Sequence, residues 1–271
     1  MKRWVDLGKR SAEAAIAIAV LAVLISFAFR PWAAWATYLL VSTLTGVAIW
    51  EYERFVEAKK GKLSFLALFA ISLVLLFAFF TQAFSPLFPL ILGLFFVAIL
   101  HFNTKENAIF EIAASAFSLI YIAAPMGMLL WILYQAPDKN GQWWLVYGLG
   151  VTKITDVGAY LGGVLFGKRK LAPTISPAKS VEGAASGVAA ALALSFLFFS
   201  CTALPLGKGV WIWLALLLSV ASIFGDLLES LLKRDANKKD SNHLPGLGGC
   251  LDVLDSLLFS LPLLYLYLRY L

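Results

Sequence analysis

Apolar residues in this chain gather into blocks of about 20, the length that an α-helix needs to cross the hydrocarbon core of a bilayer. Hydrophobic residues make up 61% of the 271 positions, whereas charged residues make up only 14%. Together these features predict an all-α, polytopic integral membrane protein. The apolar run that follows the basic N-terminus lacks a small-residue cleavage site, so we interpret it as a membrane anchor and not as a removed signal.

Hydropathy along the chain predicts about nine transmembrane helices. They cover approximately residues 12–30, 32–50, 63–83, 86–102, 108–134, 142–166, 184–204, 209–231 and 252–270. The fifth is longer than a bilayer requires and contains Pro125 and Gly127, so we expect a kink there or a break into two shorter helices. The predicted number of spans therefore differs by one, depending on whether this segment is one kinked helix or two shorter helices.

Lysines and arginines are distributed very unequally between the two sides of the predicted spans. With the N-terminus inside, 17 of them fall on the cytoplasmic side and four on the opposite side. Cytoplasmic loops carry such an excess, so we predict a cytoplasmic N-terminus and a C-terminus on the other side. The same bias accounts for most of the net charge of +6, and no nucleic-acid partner is predicted.

Charge inside the predicted spans is concentrated in the C-terminal half. At or near membrane depth, the last four spans hold Lys153, Asp156, Asp226, Glu229, Asp252 and Asp255. Ionisable groups at this depth are costly and usually line a polar cavity with a function. We therefore predict an N-terminal transmembrane scaffold over residues 1–139 and a C-terminal catalytic transmembrane domain over residues 140–271.

The acidic residues near the C-terminus have a spacing that can bring them together. One helical face carries polar residues at i, i+3, i+4 and i+7: Asp226, Glu229, Ser230 and Lys233. Asp252 and Asp255 are again three residues apart, so a second helix can direct two carboxylates toward the same point. Oxygen ligands of this kind suit Mg²⁺. Interhelical salt bridges with Lys153 or Lys233 are the alternative explanation.

Two polar connections have the composition of phosphate-binding segments. Residues 233–249 combine cations with Gly246, Gly248 and Gly249, which let a backbone approach an anion closely. Residues 166–183 place cations and hydroxyls before a helix start rich in small residues, and helix N-termini beside cations bind phosphate. Neither connection contains a P-loop or a dinucleotide-binding fingerprint, and a basic loop can equally be a topology signal alone.

The same two regions contain a specific set of motifs. Residues 153–187 read KITDVGAYLGGVLFGKRKLAPTISPAKSVEGAASG, and residues 222–256 read SIFGDLLESLLKRDANKKDSNHLPGLGGCLDVLDS. Both segments closely resemble the phosphatidate cytidylyltransferases, also called CDP-diacylglycerol synthases. The resemblance covers about residues 140–271, and the WEYERF segment, residues 50–55, is faintly similar to the N-terminal half of that family.

The signature of that family runs from a serine before a Lys-Arg step, through Lys-Asp, to the motifs PGHGG and LDRxDS. The matching residues are Ser230, Lys233, Arg234, Lys239, Asp240, Pro245, Gly246, Gly248, Gly249, Leu251, Asp252, Asp255 and Ser256. Leu247 stands where the family usually has histidine, and Val253 where it usually has arginine; the stretch before Pro245 is one residue short. The retained carboxylates favour an intact metal site. The missing arginine would leave more phosphate charge to Lys179 or Arg234, or alter the activity.

The resemblance implies an enzyme that joins CTP to phosphatidic acid, giving CDP-diacylglycerol and pyrophosphate. It also implies Mg²⁺, K⁺ as a candidate second ion, and a homodimer with its dimerisation region in the scaffold. We expect a multi-pass protein of the bacterial inner membrane with its active site facing the cytoplasm. Because acyl chains are costly to extract from hydrocarbon, the lipid should enter sideways, through a cleft between the sixth, eighth and ninth spans.

Roles for individual residues follow from the resemblance together with their chemistry. The metal would be held by Asp226, Asp252 and Asp255, of which Asp226 and Asp252 are favoured as direct ligands. Together with Lys233 these three residues form the expected catalytic group. The expected substrate-binding residues are Lys168, Ser176, Lys179, Ser180, Ser230, Arg234, Lys239, Gly248 and Gly249, of which the lysines would hold phosphates, as would Lys233. Asp156 and Glu229 would support them, Asp156 either by orienting a metal ligand or by pairing with Lys153.

Other functions are compatible with parts of this pattern. A CTP-dependent polyprenol kinase would act on an alcohol and would need a general base. An ion-coupled transporter could use intramembrane carboxylates and basic loops, but the paired broken helices of two related halves are not seen in the sequence. The CDP-alcohol phosphotransferases are disfavoured because their DGxxAR element is missing.

Overall fold

The computed structural model describes residues 31–102, 106–137, 139–202, 204–238 and 249–270. The segment predicted as the first span, residues 12–30, lies outside these ranges. Two of the predicted substrate-binding residues, Lys239 and Gly248, lie outside them as well, as does Leu247. All other predicted site residues lie within the described part of the chain.

Helices form most of the described chain. In order they are α1 (Pro31–Ala58), α2 (Phe65–Thr81), α3 (Leu87–Leu100), α4 (Ala108–Ser118), α5 (Ala124–Gln135), α6 (Gly141–Phe166), α7 (Val181–Cys201), α8 (Val210–Asp235) and α9 (Cys250–Tyr270). Every predicted span within the described ranges corresponds to one of these helices or, for residues 108–134, to the run from α4 to α5. The predicted boundary near residue 140 falls in the turn between α5 and α6.

Five helical segments are long and apolar enough to cross a membrane. They are Ala33–Ala58, Ala108–Gln135, Val181–Cys201, Val210–Asp235 and Cys250–Tyr270. Helices α2 and α3 are apolar but shorter, with 17 and 14 residues, and α6, which carries Lys153 and Asp156, is not among the five. The prediction of a helical, multi-pass membrane protein is confirmed in this coarse form, whereas the number nine stays a prediction.

The segment in which a kink or a break was expected is continuous. A π-helical turn, Leu119–Ala123, joins α4 to α5. Pro125 follows at the start of α5. Proline has no backbone N–H to donate, which normally interrupts a helix. Here Pro125 follows a π-turn, which already widens the helix, so α4 and α5 stay joined in spite of the proline. Residues 108–135 therefore form one continuous helical segment, long and apolar enough to cross a membrane, with a π-turn in its middle.

The connection between α6 and α7 departs from the all-helical pattern. It forms an antiparallel hairpin of two short strands, β1 (Lys170–Ala172) and β2 (Ser176–Ser180). Lys170 pairs with Ser180, and Ala172 with Ser176. The predicted phosphate-binding loop is therefore an ordered hairpin, and its second strand leads directly into α7.

Small residues let α6 and α7 pack closely along their length. A Cβ atom at Gly183 would lie 2.6 Å from the Ala159 carbonyl oxygen, and one at Gly187 would lie 2.6 Å from that of Thr155. Such glycine contacts are typical of helix pairs in membranes, where close backbone approach replaces the hydrophobic effect as the source of stability. This packing fixes the hairpin beside the face of α6 that carries Asp156.

Basic clusters that are distant in sequence meet at one end of the helices. Lys59, just after α1, places its Nζ 2.9 Å from Asp235 Oδ1 at the end of α8. Arg234, the preceding residue, donates its Nε to the Ile175 carbonyl of the hairpin at 3.3 Å. The clusters that follow α1, precede α7 and end α8 therefore lie on the same side of the helical assembly.

Candidate functional site

Helices α8 and α9 approach each other closely at Gly225, the residue before Asp226. A Cβ atom there would collide with the Asp255 carbonyl oxygen and lie 3.1 Å from the Ser256 Cα. Only glycine, which has no Cβ, permits this approach. It brings the backbone of α8 next to Asp226 into contact with the backbone of α9 at Asp255. The structure thus brings together two residues that helical spacing had assigned to converging helices.

Lys233 joins the other acidic residues of the same two helices. Its Nζ lies 2.6 Å from Glu229 Oε2, one turn earlier on α8, and 2.7 Å from Asp252 Oδ1 on α9. Glu229 is buried, with 1% of its surface exposed. This is the interhelical salt bridge predicted as the alternative to a ligand-binding role. In this arrangement the ammonium neutralises two carboxylates and links the helices.

A second ion pair attaches the hairpin to α8. Lys179 Nζ, at the end of β2, lies 2.6 Å from Asp226 Oδ2. The Asp226 side chain is 38% exposed, whereas the Lys179 ammonium is itself buried against that carboxylate. A cation predicted to bind phosphate and a carboxylate predicted to bind a metal are therefore in direct contact.

Asp156 on α6 connects to both acidic helices through hydroxyl groups. Its Oδ1 accepts a hydrogen bond from Ser222 Oγ of α8 at 2.9 Å, and its Oδ2 accepts one from Ser256 Oγ of α9 at 3.1 Å. Lys153 Nζ lies 3.4 Å from the same Oδ2 and donates to Ser256 Oγ at 2.9 Å and to the Val253 carbonyl at 3.0 Å. Of the two roles considered for Asp156, the structure contains the pairing with Lys153, and the network ties three helices together.

Ser180 and Glu182 shape the start of α7. Ser180 caps the helix, since its Oγ accepts from the Gly183 N–H at 3.1 Å. The Glu182 carboxylate accepts from the backbone N–H groups of Lys168 and Arg169, at 3.0 and 3.1 Å. These bonds fold the connection after α6 back onto the N-terminus of α7. The Ser180 hydroxyl keeps its own proton, which it can donate to a ligand.

A cavity of about 340 Å³ lies between α6, the hairpin, α7 and α8. Its polar lining consists of Asp156, Lys179, Ser180 and Asp226. Its apolar lining includes Tyr160 and Val164 of α6, whose side chains are 60% and 68% exposed. A lateral cleft was expected between α6, α8 and α9, but this cavity has α7 and the hairpin in place of α9, because α9 packs directly on α8 at Gly225.

Four other predicted residues do not line this cavity. Lys168 is exposed before the hairpin, and Ser176 is half-buried at the start of β2. Ser230 is half-buried on α8, and Gly249 is buried directly before α9. Ser176 lies on the same strand as Lys179, which lines the cavity.

Tyr121, in the π-turn, is a residue near the carboxylates that the sequence pattern did not predict. Its ring packs edge-on against Phe259, one turn after Asp255 on α9. The side chain is 5% exposed, and within the described chain its hydroxyl has no hydrogen-bond partner. No sequence motif marks it, although π-turns frequently occur at functional sites.

Glu51 on α1 is a second residue that was not predicted. Its carboxylate accepts from the backbone N–H groups of Cys250 and Leu251, at 2.9 and 2.8 Å. These are the first two residues of α9, so the scaffold half is bonded to the helix that carries Asp252 and Asp255. The faint similarity of the WEYERF segment to the family was the one available sequence signal.

The acidic residues of α8 and α9 carry the oxygen ligands that a divalent cation such as Mg²⁺ prefers. Within the described residues, no three His, Cys, Asp or Glu side chains converge as a preformed metal site. In that same part of the chain the buried Glu229 Oε1 nevertheless has no hydrogen-bond donor, and the adjacent Asp226 and Asp255 supply further carboxylate oxygens. Mg²⁺ commonly takes only one or two carboxylates and completes its coordination with substrate phosphates and water. The residues fit an ion of that kind.

Comparison with known proteins assigns the chain to a family. The family model described as "Cytidylyltransferase family" matches residues 9–271. The phosphatidate cytidylyltransferase of Chlamydia pneumoniae is 32% identical over 286 residues, covering 97% of this chain and 92% of that protein. The enzyme of the same name from Bacillus subtilis strain 168 is 47% identical over 132 residues, covering 48% of this chain and 49% of that protein. This chain therefore belongs to the cytidylyltransferase family.

Proposed function

We propose that the protein is a CTP:phosphatidate cytidylyltransferase, which makes CDP-diacylglycerol and pyrophosphate. The observation that carries this proposal is the contact between Lys179 and Asp226 in a cavity with an apolar wall. A phosphate-binding cation, an acidic residue and a surface compatible with lipid occur there together. The family and the names of the relatives support the same reaction.

The reaction needs charge neutralisation more than it needs a base. A phosphate oxygen of phosphatidic acid, already ionised at neutral pH, forms a bond to the α-phosphorus of CTP. The bond from that phosphorus to the bridging oxygen of the β-phosphate breaks, and pyrophosphate leaves with the electron pair. Repulsion between the anions forms most of the barrier, so the Lys179 ammonium contributes by neutralising phosphate and by orienting the reactants in line.

Asp226, Asp252 and Asp255 are the residues that we propose to hold Mg²⁺, with K⁺ as the candidate second ion. A metal bound there would neutralise the triphosphate and stabilise the leaving pyrophosphate. Asp226 and Lys179 are partners of one another, so engagement of Asp226 with a cation frees the Lys179 ammonium for a phosphate. Asp255 lies on α9 next to the point where α8 carries Asp226. Asp252 instead contacts Lys233. The geometry therefore supports Asp226 and Asp255 as metal ligands more strongly than Asp252.

The remaining substrate contacts are assigned by position. Hydrogen bonds to phosphate or nucleotide would come from Ser176, Ser180 and Ser230, and further positive charge from Lys168, Lys233, Arg234 and Lys239. Gly248 and Gly249 would give the backbone access to an anion. Asp156 would keep α6, α8 and α9 in register through its two serine hydrogen bonds, and Glu229 would hold Lys233.

A direct assay tests the proposed function. Detergent-purified protein should convert labelled CTP and phosphatidic acid into labelled CDP-diacylglycerol, with one pyrophosphate released per lipid product. CTP hydrolysis without lipid, or transfer of phosphate to a polyprenol, would contradict the proposal. Omitting phosphatidic acid and replacing it with diacylglycerol are the matched controls, because diacylglycerol lacks the attacking phosphate.

We also propose that the active site faces the cytoplasm of a bacterial inner membrane, with the N-terminus inside and the C-terminus outside across nine spans. The support is the excess of cations on one predicted side together with the contacts that join three basic clusters at one end of the helices. CTP would then reach the hairpin directly from the compartment that contains nucleotides.

Thiol labelling provides a test of this orientation. In a chain with Cys201 and Cys250 replaced by serine, Lys168→Cys should be protected from a membrane-impermeant maleimide in intact bacterial cells, while Leu271→Cys is labelled. Lysing the cells should make position 168 reactive. Labelling of position 168 but not of position 271 before lysis would reverse the proposed topology.

The lipid substrate is expected to enter beside α6. Tyr160 and Val164 line the cavity and are exposed apolar side chains, so the polar groups can meet a headgroup while acyl chains stay in hydrocarbon. Removing two long chains from the bilayer would cost about 0.8 kcal/mol for each CH₂ group, far more than one phosphate contact returns. An opening toward the bilayer avoids this cost.

Blocking that opening should affect one substrate selectively. Val164→Trp should raise the KM for phosphatidic acid about tenfold or more and leave the KM for CTP within about twofold, since only the lipid passes this position. The matched control is Val157→Trp, because Val157 is also an exposed valine on α6, two turns earlier, but does not line the cavity. Equal effects of the two substitutions, or an effect on CTP alone, would contradict lateral entry.

A homodimer formed through the scaffold completes the proposal. Among the described residues, exposed apolar side chains of α3, including Phe88, Phe95 and Phe96, provide a surface of the required character. The molar mass of the protein in a detergent micelle, corrected for bound detergent, would distinguish one copy from two.

A further inference from the structure

Helix α9 begins without a side-chain cap from the residue before it. Its first residues are Cys250 and Leu251, and the preceding Gly249 has no side chain to accept their N–H groups. Both N–H groups instead donate to the carboxylate of Glu51, one to each oxygen. The residue that satisfies this helix start is therefore 199 positions away in sequence, on α1.

The Glu51 side chain is well suited to fix this helix end. It is fully buried, and hydrogen bonds to a charged acceptor are shorter and stronger than those between neutral groups. A carboxylate at a helix N-terminus also interacts favourably with the helix dipole. Two bonds from one rigidly placed group restrict both the position of the helix start and its rotation about the helix axis.

The attachment matters because the acidic residues of α9 lie in and just after its first turn. Asp252 comes directly after Leu251, and Asp255 lies one turn further, beside Asp226 of α8. A rotation or shift at the start of α9 would move both carboxylates relative to Lys233 and Asp226. Displacements of about 1 Å can reduce the rate of a preorganised reaction by about a hundredfold.

We infer that Glu51 is a positioning residue for the catalytic carboxylates, through which the scaffold half sets the register of α9 against α8. Two of its contacts are to the backbone N–H groups that begin α9, and through them it acts on the placement of Asp252 and Asp255. The inference about catalysis rests on the proposed function, whereas the attachment of α9 can be measured without any activity.

The thiol of Cys250 reports on the attachment. In a Cys201→Ser background Cys250 is the one cysteine of the chain, and it is buried beside the Leu44 carbonyl. Glu51→Ala should increase its rate of maleimide modification about tenfold or more, because the helix start loses both acceptors. Glu51→Gln, which keeps one carbonyl oxygen, should give an intermediate rate.

Kinetics separate positioning from a general loss of structure. On monodisperse protein, Glu51→Ala should lower kcat about tenfold or more and change the KM for phosphatidic acid less than about threefold, with partial recovery in Glu51→Gln. The control is Glu111→Ala, which removes another buried scaffold carboxylate; its Oε1 accepts from the Lys62 N–H at 2.9 Å, away from α9. That variant should retain the parental kcat and a protected Cys250.

Each outcome bears on the inference. A protected Cys250 and a kcat within about threefold of the parent in Glu51→Ala would overturn it. Equal losses in the Glu51 and Glu111 variants would assign Glu51 to general stability and would also overturn it. If the parent makes no CDP-diacylglycerol, the proposed function fails, while the thiol reaction still decides whether Glu51 holds α9. If Glu51→Ala does not fold, Glu51→Gln decides both measurements.

Discussion

Replacing Asp226 by asparagine should lower turnover at least about a hundredfold at saturating Mg²⁺, in line with the loss of a preorganised charge-stabilising group. Asp226 pairs with Lys179, lines the cavity and lies beside Asp255. The amide of asparagine keeps the size of the side chain and removes its charge, so the proposed metal site and the partner of Lys179 are lost together.

The measurement is kcat for CDP-diacylglycerol formation on monodisperse protein in detergent. Asp235→Asn is a suitable control, because Asp235 ends the same helix and forms a solvent-exposed pair with Lys59, and exposed pairs contribute little. Its turnover should match the parent. A near-normal rate in Asp226→Asn would remove Asp226 from the proposed metal site.

Asp252→Asn provides a comparison within the site. The sequence predicts the same loss of at least about a hundredfold, since Asp252 belongs to the expected metal ligands. In the structure its carboxylate contacts Lys233, so a change in unfolding temperature larger than that of Asp226→Asn would reveal its part in the salt bridge. Normal turnover in Asp252→Asn would restrict the metal ligands to Asp226 and Asp255.

Local spacing was sufficient to predict the acidic faces of α8 and α9. Asp226 and Glu229 are three residues apart, as are Asp252 and Asp255, and a helix converts that spacing into one face. Hydropathy likewise located every helix in the described ranges. The acidic faces and the apolar helices both depend on neighbouring residues within one segment, and their order is visible directly in the sequence.

Contacts between distant segments could not be predicted in this way. The bonds from Glu51 to the start of α9 join positions about 200 residues apart, and neither end carries a motif that specifies the other. The position of Tyr121 depends on a π-turn, which shifts the helical phase and which no residue pattern marks. The hairpin at residues 170–180 was missed because its strands are too short for an alternating apolar pattern.

The arrangement of helices around the cavity also depends on contacts between distant segments. The polar residues of the cavity, including Asp156, Lys179 and Asp226, were all predicted for the site. Which helices enclose it was predicted incompletely, because a single glycine, Gly225, decides how closely α8 and α9 pack. Sequence therefore identified the chemistry of the residues better than the arrangement of the helices around them.

Replacing Lys233 by methionine should reduce the free energy of unfolding by about 3–5 kcal/mol, the usual cost of removing one partner from a buried ion pair. Lys233 contacts Glu229 at 2.6 Å and Asp252 at 2.7 Å. Methionine keeps most of the apolar stem but leaves two largely buried carboxylates without their cation. Unfolding in mixed micelles with increasing denaturing detergent would measure the change.

A second substitution tests whether charge is the cause. In Lys233→Met combined with Glu229→Gln, one negative charge is removed, and the new amide can donate to Asp252, so more than half of the lost stability should return. Lys59→Met controls for loss of a lysine, because its pair with Asp235 is exposed and should contribute less than about 1 kcal/mol. If the double variant is no more stable than Lys233→Met, the destabilisation comes from lost packing, and the ion pair is not what holds α8 to α9.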